Sequence, residues 1–65
     1  MANETWDALV PNLSDAALVD VHEAIRRELT SDPDNVRENP DFKSWAERLE
    51  IELARRARDF DPISF

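Results

Sequence analysis

The sequence LSDAAL at residues 13–18 is the clearest helix start in this chain of 65 residues. Serine side chains cap the free backbone N–H groups of a first helical turn, so Ser14 fits the capping position. Asp15 then lies at the positive end of the helix dipole, where a carboxylate is favourable. The leucines on either side of this start have the spacing of a hydrophobic staple. We therefore predict a main helix over about residues 14–30.

The apolar residues of this helix recur with the spacing of a single face. On a helical wheel they occupy a stripe about 100° wide. They are Leu18, Val21, His22, Ile25 and Leu29. Pro33 cannot continue the backbone hydrogen-bond ladder and ends the pattern. Because proline suits a first helical position, Asp32 and Pro33 also fit the start of one short turn through Arg37.

Asn39-Pro40-Asp41 predicts the start of a second main helix, which we place at about residues 40–59. Its apolar residues lie within about 60° of one direction on the wheel. They are Phe42, Trp45, Ala46, Leu49, Leu53, Ala57 and Phe60. Three arginines fall in the predicted last turns, where positive charge offsets the negative end of the dipole. They are Arg55, Arg56 and Arg58.

These patterns predict an all-α fold with one domain over residues 1–65. The two amphipathic helices should pack antiparallel, apolar stripe against apolar stripe. Residues 3–10 form either a short N-terminal helix or an arm, with Trp6 closing the open edge of the pair. The expected architecture is therefore an antiparallel helical hairpin or a small three-helix bundle, followed by an apolar tail at 60–65.

Composition restricts the ways in which so short a chain is stabilised. Cysteine is absent and His22 is the only histidine, so disulfides and a Cys-based zinc site are excluded and no metal is expected. Glycine is absent too, which removes every Gly-rich phosphate loop, and we expect no cofactor. Small domains without these devices are commonly stabilised by another chain. A protein partner or self-association, including a homodimer, is the remaining expectation.

The formal charge of −7 is concentrated in the first two thirds of the chain. Residues 1–41 hold ten acidic side chains and three arginines, which accounts for the whole excess. Such a chain repels phosphate, so direct binding of nucleic acid is disfavoured, whereas a basic partner is attracted. The plainer interpretation is that the charge maintains solubility. Neither a membrane-spanning stretch nor a secretory signal is found, and we expect a cytoplasmic protein.

No set of residues meets the requirements of a catalytic site, and we expect no enzyme activity. His22 lies at the edge of an apolar stripe and is best interpreted as a structural histidine. Glu47 and Glu50 are expected to point outward, and a chain this small has little room for a cleft that would shift their pKa values. The acidic linker from Asp32 lacks the glycine of a calcium loop and has Lys43 where that loop needs a glutamate.

Several apolar residues fall outside the two stripes and are candidates for partner contact. Ile51 lies about 180° from Phe42 on the second helix, and Val19 widens the apolar surface of the first. The tail adds Ile63 and Phe65, and it either folds back on the helices or docks on another chain.

The function we expect is that of a small acidic protein–protein interaction module, such as a regulator or inhibitor of a larger protein. Two alternatives remain open: a structural accessory bundle within an assembly, and an acidic inhibitor that imitates DNA phosphate. The contact residues predicted for the module are Val19, Ile51, Ile63 and Phe65.

Overall fold

Four α-helices and one 3-10 turn make up the computed structural model, which describes the backbone of residues 2–65 and the side chains from residue 5 onward. The helices are α1 (Ala2–Leu9), α2 (Asp15–Ser31), α3 (Pro33–Glu38) and α4 (Pro40–Arg55), and the 3-10 turn Val10–Asn12 follows α1. No strand occurs in the described range, so the all-α prediction is confirmed. The N-terminal segment is helical, and the short turn after Asp32 is a fourth helix.

Both predicted starts of the main helices are capped by their own side chains. Ser14 Oγ accepts a hydrogen bond from the backbone N–H of Ala17 at 3.1 Å. Asn39 Oδ1 accepts one from Asp41 N–H, also at 3.1 Å. Each cap satisfies a donor that the first turn leaves free, which explains why the helices begin where they do. Asp32 makes no such bond, and α3 begins on the fixed φ of Pro33 alone.

The core lies along the seam between α2 and α4, which run antiparallel. Asp15 at the start of α2 contacts Arg56 just beyond the end of α4. His22, two turns further along α2, contacts Glu50, which precedes Arg56 by one to two turns. The fully buried side chains of this core are Val10, Leu18, Ile25, Ala46, Leu49 and Leu53. Among the described helices, none has the length and apolar character needed to cross a bilayer.

The molecule is only about two helix layers thick. Its Cα extents are 31 × 27 × 14 Å, and two packed helices span about 13–15 Å when their axes are 8–10 Å apart. Its accessible surface of 4397 Å² is close to the roughly 4,200 Å² expected for an ordinary monomer of this mass. The chain is therefore as well packed as an isolated domain of its size.

The predicted end of the second main helix, residue 59, is wrong. Helix α4 ends at Arg55, and Ala57 adopts a left-handed backbone with φ of 57°. The N–H of Arg58 bonds to the carbonyl of Leu53 at 2.9 Å, which is the hydrogen bond of a Schellman cap. Ala57 is exposed, and Phe60 leaves the helical stripe to begin the tail. Glycine, the usual signal for this cap, is absent from the chain.

We expect Ala57→Gly to raise the free energy of unfolding by about 1 kcal/mol, because an L-residue in the left-handed region is strained where glycine is not. The matched control is Ala54→Gly, at an exposed position inside the helix, which should lower stability by about 0.5–1 kcal/mol. Urea denaturation of the three proteins measures both changes. A destabilised Ala57→Gly variant would show that the cap is not formed as described.

Candidate partner-binding site

The C-terminal tail folds back along the seam between α2 and α4. The ring of Phe60 packs edge-on against His22, with centroids 5.9 Å apart. Arg26 donates a hydrogen bond to the backbone carbonyl of Asp61. Ile63 and Phe65 are half-buried and pack against the core. Of the two alternatives for the tail, folding back is the one observed.

Glu50 is the residue that fixes this tail, so the expectation that it points outward is wrong. Its Oε2 atom lies 2.8 Å from His22 Nε2 and accepts the backbone N–H of Ile63 at 2.9 Å. An ionised carboxylate only accepts hydrogen bonds, so His22 Nε2 carries the proton in this pair. His22 is buried and bonded, as its structural interpretation requires. Glu47, by contrast, is exposed.

The structure does not bring the four predicted contact residues together. Val19, 42% exposed, lies beside Ala57 and Arg58 near the end of α4. Ile51, 61% exposed, lies on the outer face of α4. The two tail residues are covered by the chain's own helices on one side. The four residues therefore lie at three separate places on the surface, and Ile51 has the most exposed side chain of the four.

Ile51 borders a shallow depression on the outer side of the bundle. The depression lies between α1 and α4 and is also lined by Trp6, Asp7 and Arg48. Arg48 Nε is 3.5 Å from Asp7 Oδ1, so an ion pair bridges the two helices at this place. Polar and apolar groups alternate along the depression, which makes it an ordinary mixed surface.

A second, apolar groove opens on the other side of Trp6, between α1, α2 and α4. Its volume is about 320 Å³, and its lining is almost wholly apolar. We define the apolar groove by the residues that line it: Trp6, Val21, Ala24, Ile25, Glu28, Phe42 and Trp45. Glu28 is the one charged residue among them.

Three aromatic rings form one wall of the apolar groove. Trp45 is the middle ring, with its centroid 6.1 Å from that of Trp6 and 5.4 Å from that of Phe42. Both pairs are tilted or edge-to-face, the arrangements that aromatic rings prefer. The indole N–H of Trp6 is buried with no acceptor among the described residues. The wall is thus rigid and offers carbon surface to whatever enters the groove.

Sequence reasoning missed the apolar groove although it identified most of its residues. Phe42, Trp45 and Val21 were all assigned to the core stripes, and Trp6 to the closing edge. Helical periodicity gives the direction of a side chain but not the length of the element that covers it. Among the described residues, α1 packs mainly on α4 and the 3-10 turn, and this packing is not visible in the periodicity of any single helix.

Glu52 is a buried carboxylate that the sequence did not single out. Its side chain is 1% exposed, and its Oε2 accepts Arg55 Nη2 at 2.6 Å and Arg56 Nε at 2.8 Å. These hydrogen bonds lower the pKa of Glu52 from 4.5 to about 2. Arg56 also donates to Asp15 Oδ1 at 2.8 Å and to the carbonyl of Pro11 at 3.0 Å.

The Glu52 cluster therefore joins the end of α4 to the start of α2 and to the 3-10 turn. A carboxylate with so low a pKa, saturated by guanidinium groups, is held ionised at neutral pH and serves as a structural ion pair. Arg55, Arg56 and Arg58, expected to offset the helix dipole, also contact carboxylates. Elsewhere in the described part of the chain, no three acidic or histidine side chains converge as a metal site would require.

The Glu52 cluster should make the fold sensitive to acid. The pKa of Glu52 is lower in the folded chain than in the unfolded one, so its contribution is present above about pH 4.5 and is lost as pH falls toward about 2. We expect Glu52→Gln to reduce stability at pH 7 and to flatten the decline of stability between about pH 5 and 2. Glu47→Gln, an exposed change on the same helix, is the control. Urea titrations across this pH range measure the effect, and an unchanged pH profile for Glu52→Gln would contradict it.

Comparison with known proteins adds no relative: no family model matches the chain, and neither a curated protein nor a solved structure is significantly similar to it.

Proposed function

We propose that this chain is a small non-enzymatic protein-binding module that receives the side chains of a partner in the apolar groove. The observation that carries the proposal is an apolar, aromatic-walled groove on a chain whose total accessible surface is close to that of an ordinary monomer. Concave pockets lined mainly by hydrophobic and aromatic side chains are the default candidates for binding sites.

The shape of the groove favours a protein partner over a small molecule. Its volume of about 320 Å³ is at the lower limit of the roughly 300–1,000 Å³ typical of small-molecule sites. Such sites also contain several polar groups that orient the ligand. Glu28 is the one such group in the lining, so the groove suits a few inserted apolar side chains.

Trp45 is the residue we expect to contribute most to binding. It stands between Trp6 and Phe42 in the wall of the groove, and tryptophan at the centre of an interface is a common binding hot spot. Trp6 lines both the apolar groove and the Ile51 depression. A partner that covers the groove can therefore extend across Trp6 to Ile51, the predicted contact residue that is most exposed.

The test is a pair of matched substitutions at exposed alanines. Ala24→Arg places a long charged side chain in the groove, whereas Ala54→Arg makes the same change on α4 beside Ile51. Both positions are on exposed helix faces, where arginine is a good helix former, so circular dichroism should show both variants folded. The partner is first captured from the native cell with the wild-type chain, then purified and titrated against each variant.

We expect Ala24→Arg to weaken binding of the purified partner by at least about tenfold, because it fills the pocket of a hot spot. Ala54→Arg should change affinity by less than about threefold, the ordinary effect of a rim charge. If Ala54→Arg is the damaging change, the surface of α4 around Ile51 is the contact surface and the groove is not. Wild-type affinity in both variants would contradict a docking role for either surface.

A further inference from the structure

We propose that the occupant of the apolar groove is a cationic amphipathic helix. This inference rests on the proposed docking function and adds the class of partner. It follows from two properties of the groove, its length along α2 and the charge at its margin.

The length of the groove fits one face of a helix. On α2 the lining runs from Val21 to Glu28, a separation of seven positions and therefore about 10 Å along the helix axis. Apolar residues at i, i+3 or i+4, and i+7 of a partner helix cover the same distance. Residues Phe42 and Trp45 of α4 form the opposite wall of this trough, so its two long sides are both helical.

The charge at the margin of the groove is negative. Glu28 lines it, and Asp41 lies one turn before Trp45 on the same side of α4. Asp20 and Arg27 lie on one outer side of α2, so their opposite charges offset each other. No lysine or arginine is part of the lining. Lysine or arginine flanking the apolar face of a partner would therefore meet negative charge at this margin.

A second copy of this chain is the less favourable occupant. Each copy has a net charge of −7, so two copies repel at low ionic strength. Five of the eight basic side chains of each copy contact carboxylates of their own chain: Arg26, Arg48, Arg55, Arg56 and Arg58. A molecule with net positive charge is therefore favoured over a second copy.

The probe is a designed 18-residue amphipathic helical peptide with leucines at i, i+4 and i+7 and lysines at the flanking positions. A matched peptide carries glutamates instead of the lysines. Binding is followed through the fluorescence of the two tryptophans, Trp6 and Trp45, and by calorimetry in low salt. Glu28→Lys and Asp59→Lys are the matched protein variants. They change net charge equally, but Asp59 is exposed beyond the other end of α4.

We expect the lysine peptide to bind, and the glutamate peptide to bind at least about tenfold more weakly. Glu28→Lys should weaken binding of the lysine peptide by about fivefold to tenfold, because it replaces an attraction by a repulsion. Asp59→Lys should change the affinity for the lysine peptide by less than about twofold. Added salt should reduce the difference in affinity between the two peptides.

Four outcomes would overturn this inference. Equal losses in Glu28→Lys and Asp59→Lys would mean that the peptide senses only net charge. Equal binding of both peptides, abolished by Ala24→Arg, would leave the docking function standing and remove the preference for a cation. A dimer that Ala24→Arg dissociates, or binding of neither peptide at millimolar concentration, would show that the groove does not receive a cationic helix.

Discussion

The rest of this fold depends on the seam where α2 and α4 bury their apolar stripes against each other. Leu18 and Ile25 from one helix meet Leu49 and Leu53 from the other, and all four are buried. A seam between two helices has two long edges, and each needs a covering element. With 65 residues in all and a thickness of about two helix layers, the chain has one short helix and one short tail for that purpose.

The two edges are covered by different kinds of contact. Along the tail edge, Glu50 receives hydrogen bonds from His22 and Ile63, and Arg26 binds the carbonyl of Asp61. Buried polar groups of this kind specify one arrangement because each must find its partner. Along the α1 edge, Trp6 packs on Trp45, and Arg48 pairs with Asp7 on the outer side. The groove lies on the other side of Trp6, between α1, α2 and α4.

The main helices could be predicted because their determinants are local. Ser14 and Asn39 cap their own first turns, and the apolar stripes of α2 and α4 need only periodicity to be identified. The end of α4 could not, because the left-handed residue Ala57 carries no glycine signal. Glu50 was missed because its partners, His22 and Ile63, are distant in sequence. Glu52 differs, since Arg55 and Arg56 lie three and four residues later, and that spacing does indicate ion pairs. What spacing along one helix does not show is that the Glu52 carboxylate is buried and that Arg56 also reaches Asp15 of α2.

The apolar groove could not be predicted from the sequence for a similar reason. Phe42 and Trp45 have the periodicity of core residues and do pack on the core, yet they also line a groove between α1, α2 and α4. Val19 and Ile51 were found because exposure of an apolar residue can be read from its direction on the helical wheel. A surface shared by three helices requires their packing to be known.

The account is tested most directly by nuclear magnetic resonance of the dilute chain in the presence of a neutral paramagnetic gadolinium chelate. The chelate speeds the relaxation of those methyl groups that it can approach. The central claim is that the tail covers one edge of the seam while the other edge is open. The methyl of Ala24 should then relax strongly, whereas the methyls of Ile63 should be largely protected and those of Leu53 fully so. Ile63 relaxing as fast as Ala24, or Ala24 as protected as Leu53, would contradict it.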